Sequence, residues 1–224
     1  TGAPSTNGSW ETPPDPVPDD QIVETVDCDV IVVGAGVAGM PGIIYAAQQG
    51  LNVHVLEKGP TQGVHRLNVS GLNAEYAKNF SDQTIDPKDF TTDMYRCSGG
   101  FQSKNPVVAR YANHSGKLID WMMETVAPYG WSLLPMQQAA TGYNQRLQGT
   151  WEPWPTYDCA YLFCDDQGNN LGMGVSPNWM ELFREIAEKD GATFHFNEAG
   201  YYLEREGDKS GRVTGVVSRD VHSG

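Results

Sequence analysis

Gly34-Ala35-Gly36-Val37-Ala38-Gly39 sets three glycines in the spacing G-x-G-x-x-G, and an acid, Glu57, stands eighteen residues after the last of them. Each residue type has a mechanical reason to stand there. Gly34 permits a tight turn, Gly36 lets backbone N–H groups approach a pyrophosphate, and Gly39 allows close packing of helix on strand. A helix N-terminus adds the positive end of its dipole for the phosphates. The Glu57 carboxylate can accept hydrogen bonds from ribose hydroxyls, and an acid there argues against a 2′-phosphate. This is the chemistry of holding a dinucleotide's adenosine half. The glycines alone do not separate FAD from NAD.

Such a turn needs a strand before it and a helix after it. Val30 to Val33 is a continuous β-branched run, as expected of a strand covered on both faces in a parallel sheet. A helical stretch is predicted from the glycines to about Gln49, stopped by Gly50, and Asn52–Leu56 reads as a second strand ending at Glu57. Strand, glycine turn, helix and strand make one βαβ unit. Pro41 falls about one turn into the helix, where its ring crowds the Val37 carbonyl. Glu57 to Asn73 reads as loop, Asp86–Phe90 as a helix entry, and Pro106 to about Glu124 as a strong helix. Its apolar positions Val107, Val108, Tyr111, Leu118, Trp121 and Met122 are assigned to the core. Tyr143 to Cys164 is rich in Trp, Pro and Tyr and reads as irregular. Pro177–Lys189 is an amphipathic helix stopped near Gly191. Thr193–Phe196, Gly200–Arg205 and Arg212–Val217 read as strands, with a Gly-Asp-Lys-Ser-Gly turn between the last two. The fold class is α/β.

The residues after Glu57 separate FAD from NAD. Glu57-Lys58-Gly59-Pro60 leads through Gly63 and His65-Arg66 to Ser70-Gly71-Leu72-Asn73-Ala74. Here the sequence resembles the flavoprotein subunit of the fumarate reductase and succinate dehydrogenase family, including its soluble flavocytochrome and urocanate reductase branch. That family has an E-K pair, a G-G-N or S-H-T step and then G-G-x-N-A, wrapped round FAD. Asn105-Pro106 with Ile119-Asp120-Trp121-Met122 looks like the family's helix ending in a D-W-L turn. Gly211-Arg212-Val213-Thr214-Gly215-Val216-Val217 is similar to its G-R-V-T-G-V hairpin strand. The likeness runs from residue 27 to residue 220.

The resemblance implies a Rossmann-like FAD-binding domain with a parallel sheet, helices and an added β-hairpin or meander, and a cap domain that is not in this chain. By position it gives the FAD contacts as Gly34, Gly36, Ala38, Gly39, Glu57, Lys58, His65, Arg66, Val69, Ser70 and Gly71, with the Gly200 backbone beside the adenine. Val64 replaces the family's second glycine, and the loop from His65 to Ser70 is one residue shorter than in the flavocytochromes. Two modes of attachment stay open. In the favoured one FAD is noncovalent and His65 is a hydrogen-bonding contact; in the other His65 is linked to the flavin, as in the membrane-bound members.

The implied activity is hydride transfer from flavin N5 to an activated C=C bond of a small organic substrate. The family's Arg proton donor and its His and Arg carboxylate clamps have no counterpart here, so no catalytic residue is assigned. The chain is expected to be part of a larger flavoprotein, inactive alone. Its expected partners are the remaining cap and C-terminal part, as a second chain in one arrangement, and an electron-donor protein. Ketosteroid dehydrogenases and amino-acid oxidases share the FAD fold and stand as alternatives, as does a non-catalytic dinucleotide-binding subunit.

Composition bounds the rest. The 224 residues are 39% hydrophobic and 19% charged, enough for a sizeable core. Lys and Arg number 15 against 28 Asp and Glu, a net charge of −13 without a basic cluster, which argues against nucleic acid. Residues 1–26, with prolines among Ser, Thr, Asn and Asp, read as an extended leader or surface strap, and 27–224 as the N-terminal part of the FAD-binding domain. That leader, its acidity and the missing initiator Met give the expectation of an exported protein. Val30–Ala47 carries no charge, but its glycines, Pro41 and lack of basic anchors fit strand, turn and helix better than a membrane span. Cys28, Cys97, Cys159 and Cys164 form no C-x-x-C; reduced packing thiols are the favoured reading, and a Cys159–Cys164 pair in an exported chain stays open as the alternative. Trp151, Trp154, Tyr157 and Tyr161 read as a packing loop rather than a substrate mouth. His54 reads as a core histidine, His114 and His195 carry no partner signal, and no metal site is read.

Overall fold

The computed structural model describes residues 14–63, 68–80, 82, 84–97, 104–135, 160–171, 177–207 and 211–223. In chain order the elements are β1 (Val30–Val33), α1 (Met40–Gln48), β2 (Val53–Glu57), β3 (Asn68–Ser70), α2 (Pro87–Cys97), α3 (Asn105–Val126), β4 (Ser132–Pro135), β5 (Ala160–Cys164), α4 (Trp179–Lys189), β6 (Thr193–Phe196), β7 (Glu198–Arg205) and β8 (Val213–Asp220). They fall into two compact units, Thr1–His65 with Met180–Gly224, and Arg66–Trp179.

The first unit holds the parallel sheet, in the order β1-β2-β6. Val30 pairs with Val53 and Val33 with Leu56, while His54 pairs with Thr193 and Glu57 with Phe196. Val53 and Val55 are fully buried, as are Met40, Ile43 and Ile44 of α1, which packs on β2. Each such side chain contributes about 1.5–3 kcal/mol on burial, so the start of α1 rests on a rigid layer. α4 buries Met180, Phe183, Ile186 and Ala187. Gly50 and Gly191 end α1 and α4 with φ of 78° and 105°, the left-handed backbone that glycine adopts without strain. The expected hairpin is β7-β8, and β7 packs against β2. α1 begins at Met40, so Pro41 lies in its first turn instead of one turn inside, where its missing N–H costs nothing.

The second unit contains a sheet that the sequence does not announce. β3, β5 and β4 form an antiparallel sheet in the order β3-β5-β4. The stretch Glu57–Asn73, read as loop, thus includes a strand, and the end of Tyr143–Cys164 is one as well; the rest of that stretch lies outside the described residues. Tyr161 and Phe163 point into the core with no exposed surface, and Phe163 stacks on Trp179 at 4.7 Å. Tyr161 is therefore packing, whereas Trp151, Trp154 and Tyr157 lie outside the described residues. Two further expectations for α3 are corrected. The buried stripe is Ala112, Ser115, Gly116, Ile119, Met122, Thr125 and Val126, whereas Val107 and Leu118 are exposed. The helix also runs on to Val126, so Asp120-Trp121-Met122 lies within it and ends nothing. Ser115 and Gly116 stand in this stripe because the backbone of Leu72–Ala74 crosses it there.

Candidate functional site

β1 feeds the glycine turn directly. The Gly34 N–H donates to the Leu56 carbonyl at 2.8 Å, and Gly34 then turns with φ 103°, a conformation closed to residues with a Cβ. The Gly36 carbonyl accepts from the Gly39 and Met40 N–H groups, both at 3.0 Å, which starts α1. A methyl group on Gly39 would lie 2.5 Å from the Gly34 carbonyl oxygen, so only glycine lets helix and strand meet there. Gly36 differs. A methyl group on it would meet nothing within 4 Å, so the space beside it is open. Among the described residues no backbone acceptor takes the N–H groups of Gly36, Val37 or Ala38, and Val37 and Ala38 are exposed. These are the orphan donors of a helix start, a donor set that suits an anion.

Glu57 closes the other side. Its Oε2 accepts the Ala35 N–H and its Oε1 the Gly59 N–H, both at 2.8 Å. A carboxylate offers about four lone-pair positions, so two remain for hydroxyl donors. The loop after Glu57 is itself pinned: the Gly63 N–H donates to the Ala35 carbonyl at 3.0 Å, and a Gly63 methyl would come 3.3 Å from the Gly36 Cα. Gly63 is thus a second close backbone approach to the turn, one that G-x-G-x-x-G spacing does not reveal. Lys58 is exposed beside it.

In the second unit, Ser70-Gly71-Leu72-Asn73-Ala74 lies across α3. Gly71 is buried, and a methyl on it would lie 2.5 Å from Ile119 Cγ1 and 2.6 Å from the Ser115 carbonyl oxygen. On α3, a Gly116 methyl would overlap the Leu72 carbonyl oxygen. The buried Ser115 hydroxyl accepts the Leu72 N–H at 2.9 Å. Asn73, at φ 55°, bonds both backbone groups of Ile85, at 2.7 and 2.8 Å. The Asp120 carboxylate accepts the Glu75 and Tyr76 N–H groups at 3.0 and 2.9 Å, satisfying the start of the short Tyr76–Asn79 turn. Val69 is half-buried and Ser70 exposed.

Residues 29–224 match the family described as FAD binding domain. The chain belongs to that family. Among curated proteins it is similar to the NADH:fumarate oxidoreductase of Klebsiella pneumoniae (strain 342), 30% identical over 98 residues, which is 43% of this chain and 11% of that protein. Among solved structures it is similar to the 3-ketosteroid-Δ4-(5α)-dehydrogenase of Rhodococcus jostii RHA1, with a TM-score of 0.62 and 20% identity, covering 90% of this chain and 44% of that one. A flavocytochrome c3 fumarate reductase in its open conformation gives a TM-score of 0.58 and 21% identity, covering 88% of this chain and 31% of that one. The chain spans less than half the length of each. These structures share its fold: a Rossmann-like α/β arrangement with a parallel sheet and helices.

An FAD binding domain must accommodate a pyrophosphate and a ribose, and the residues present fit both. Open space and unclaimed N–H groups meet at Gly36, and Glu57 keeps free acceptor positions alongside. His65 and Arg66 lie outside the described residues. Gly200 sits in β7 opposite Ser218, where a methyl would come 3.1 Å from Val33 Cγ1, so packing on β1 already calls for glycine there.

Among the residues to which sequence alone gives no role, two histidines meet. His54 Nδ1 and His195 Nε2 are 2.8 Å apart across β2 and β6, and His195 Nδ1 lies 3.8 Å from Glu198 Oε1, whose partner oxygen takes the Ser218 hydroxyl. The parallel register pairs His54 with Thr193 and Leu56 with His195, so the two rings meet diagonally across the strands. Cys28 and Cys164 carry free thiols, and burial raises both above the usual thiol range. No helix among the described residues is long and apolar enough to cross a membrane, and none of their His, Cys, Asp or Glu groups could hold a metal ion.

Proposed function

We propose that this chain is the FAD-binding part of a fumarate-reductase-like oxidoreductase that reduces an activated C=C bond of a small organic substrate. The observation that carries this reading is the open, N–H-lined space at Gly36 beside the Glu57 carboxylate. Bound FAD would supply the hydride at flavin N5. The chain's own residues bind and orient: Gly36, Val37 and Ala38 offer N–H donors to the pyrophosphate, Glu57 receives the ribose, and Gly34 and Gly39 fix the turn. Lys58, His65, Arg66, Val69, Ser70, Gly71 and Gly200 complete the proposed contacts, with the cofactor held noncovalently.

The similarity to an NADH:fumarate oxidoreductase favours a fumarate-like acceptor. The ketosteroid dehydrogenase fold likeness supports a steroid substrate as the second reading. A cap and C-terminal portion would supply the proton donor and substrate clamps, and an electron-donor protein would reduce the flavin. The acidic, proline-rich leader supports an exported protein. The test is anaerobic: full-length protein with reduced flavin is mixed with fumarate, another enoate or a 3-ketosteroid carrying a conjugated 4-ene, and the flavin band at ~450 nm is followed. Reoxidation by an enoate bears the reading out. Reoxidation by the ketosteroid alone favours the second, and reoxidation by none of them rejects both.

A further inference from the structure

Helix α3 holds the Ser70–Tyr76 segment at successive turns. Tyr111, Ser115 and Ile119 stand four residues apart on one stripe, and Asp120 comes next. Ser115 and Asp120 bond backbone N–H groups, and Gly71 and Gly116 bring the two backbones into contact. These contacts fix the path of the chain. Tyr111 does something different: its hydroxyl donates to the side-chain oxygen of Ser70 at 3.0 Å. That bond holds no backbone in place. It sets the rotation of one hydroxyl, on an exposed residue.

We infer that Tyr111 is a positioning residue for the cofactor and acts through Ser70. The inference rests on the reading of Ser70 as an FAD contact. A serine hydroxyl has one proton and two acceptor positions, and a free one rotates among three staggered wells. The phenol, with a pKa of about 10, is the stronger donor of the two. It occupies one Ser70 lone pair, so the Ser70 proton points elsewhere, to an acceptor beyond the helix. The orienting group is itself held: the Tyr111 ring packs against Phe90 at 5.9 Å and against the buried cluster of Leu72, Ile85 and Ala112. Removing the Tyr111 oxygen therefore leaves the ring on its packing partners and frees the Ser70 rotor.

A double-mutant cycle tests this on the full chain titrated with FAD, read by flavin fluorescence and by the visible absorption band. Four proteins are compared: wild type, Tyr111→Phe, Ser70→Ala and the double variant. Tyr111→Phe is expected to raise the FAD dissociation constant about three- to tenfold, the range of one hydrogen bond, and to shift the flavin band. The melting temperature of the apoprotein should stay unchanged. In the Ser70→Ala background the same substitution is expected to add nothing. An unaltered affinity in Tyr111→Phe overturns the inference, and so does an equal loss in both backgrounds, because Tyr111 would then act through the fold. A wild-type chain that binds no FAD overturns the underlying reading together with this one.

Discussion

Three glycines of one motif do three different jobs, and their surroundings tell them apart. Gly34 is required by backbone conformation, Gly39 by a carbonyl oxygen 2.5 Å from where its methyl would be, and Gly36 by nothing within the protein. Gly39→Ala must push α1 from β1, and the expected cost is about 1–3 kcal/mol, the range for overpacking a tight contact. Chemical denaturation checks it, and an unchanged midpoint would show that the turn yields freely. Glu57→Gln should cost about 1–3 kcal/mol as well. Its amide keeps one oxygen for either the Ala35 or the Gly59 N–H and presents N–H to the other. The same denaturation series reads this out, with wild-type stability as the contrary result. At this scale the sequence was legible wherever a residue type has one mechanical reason. The His54–His195 contact was not, because it depends on how two strands far apart in sequence pair.

Elements marked by a local signal were legible, and those without one were not. β1, α1, β2, α4 and β6 are foretold by a β-branched run, a glycine turn, helix stops and apolar spacing. The β3-β5-β4 sheet escapes because its pairing spans about ninety residues between β3 and β5 and about thirty between β4 and β5. The buried face of α3 escapes for a related reason. Hydrophobicity points to Val107 and Leu118, whereas Gly116 and Ser115 mark the true contact; an isolated glycine in a helical pattern is the signal that could have found it. Beyond β5 the Asp165 carboxylate accepts from the Asn169 side chain and from the Gln167 and Asn169 N–H groups. These bonds hold its pKa below the ordinary carboxylate range. A lowered folded-state pKa means that the stabilisation is present above the ordinary carboxylate pKa and is lost as pH falls through the lowered one. Asp165→Asn should therefore flatten the acid side of the stability profile. Equal acid sensitivity in both proteins would count against this role for the turn.

The molecule as a whole carries −13 charges and is expected to bind a cofactor that is itself anionic. Its long-range field opposes association, while the helix start at Gly36 favours it only at close range. Raising the salt concentration from low to physiological should therefore speed FAD association, since screening removes the repulsion first. Stopped-flow fluorescence would show it, and a rate that falls with salt would point to a basic entry that the composition does not reveal. The central claim is that FAD lies with its pyrophosphate over Gly36. The most direct measurement is an equilibrium titration of FAD into the wild-type chain and into Gly36→Ala, with the apoprotein stability of each measured alongside. Wild type should bind one FAD. Gly36→Ala should lose most of that affinity at a stability within about 0.5 kcal/mol of wild type, because its methyl enters only the open space. Equal FAD affinity in the two proteins, or none in wild type, would contradict the claim.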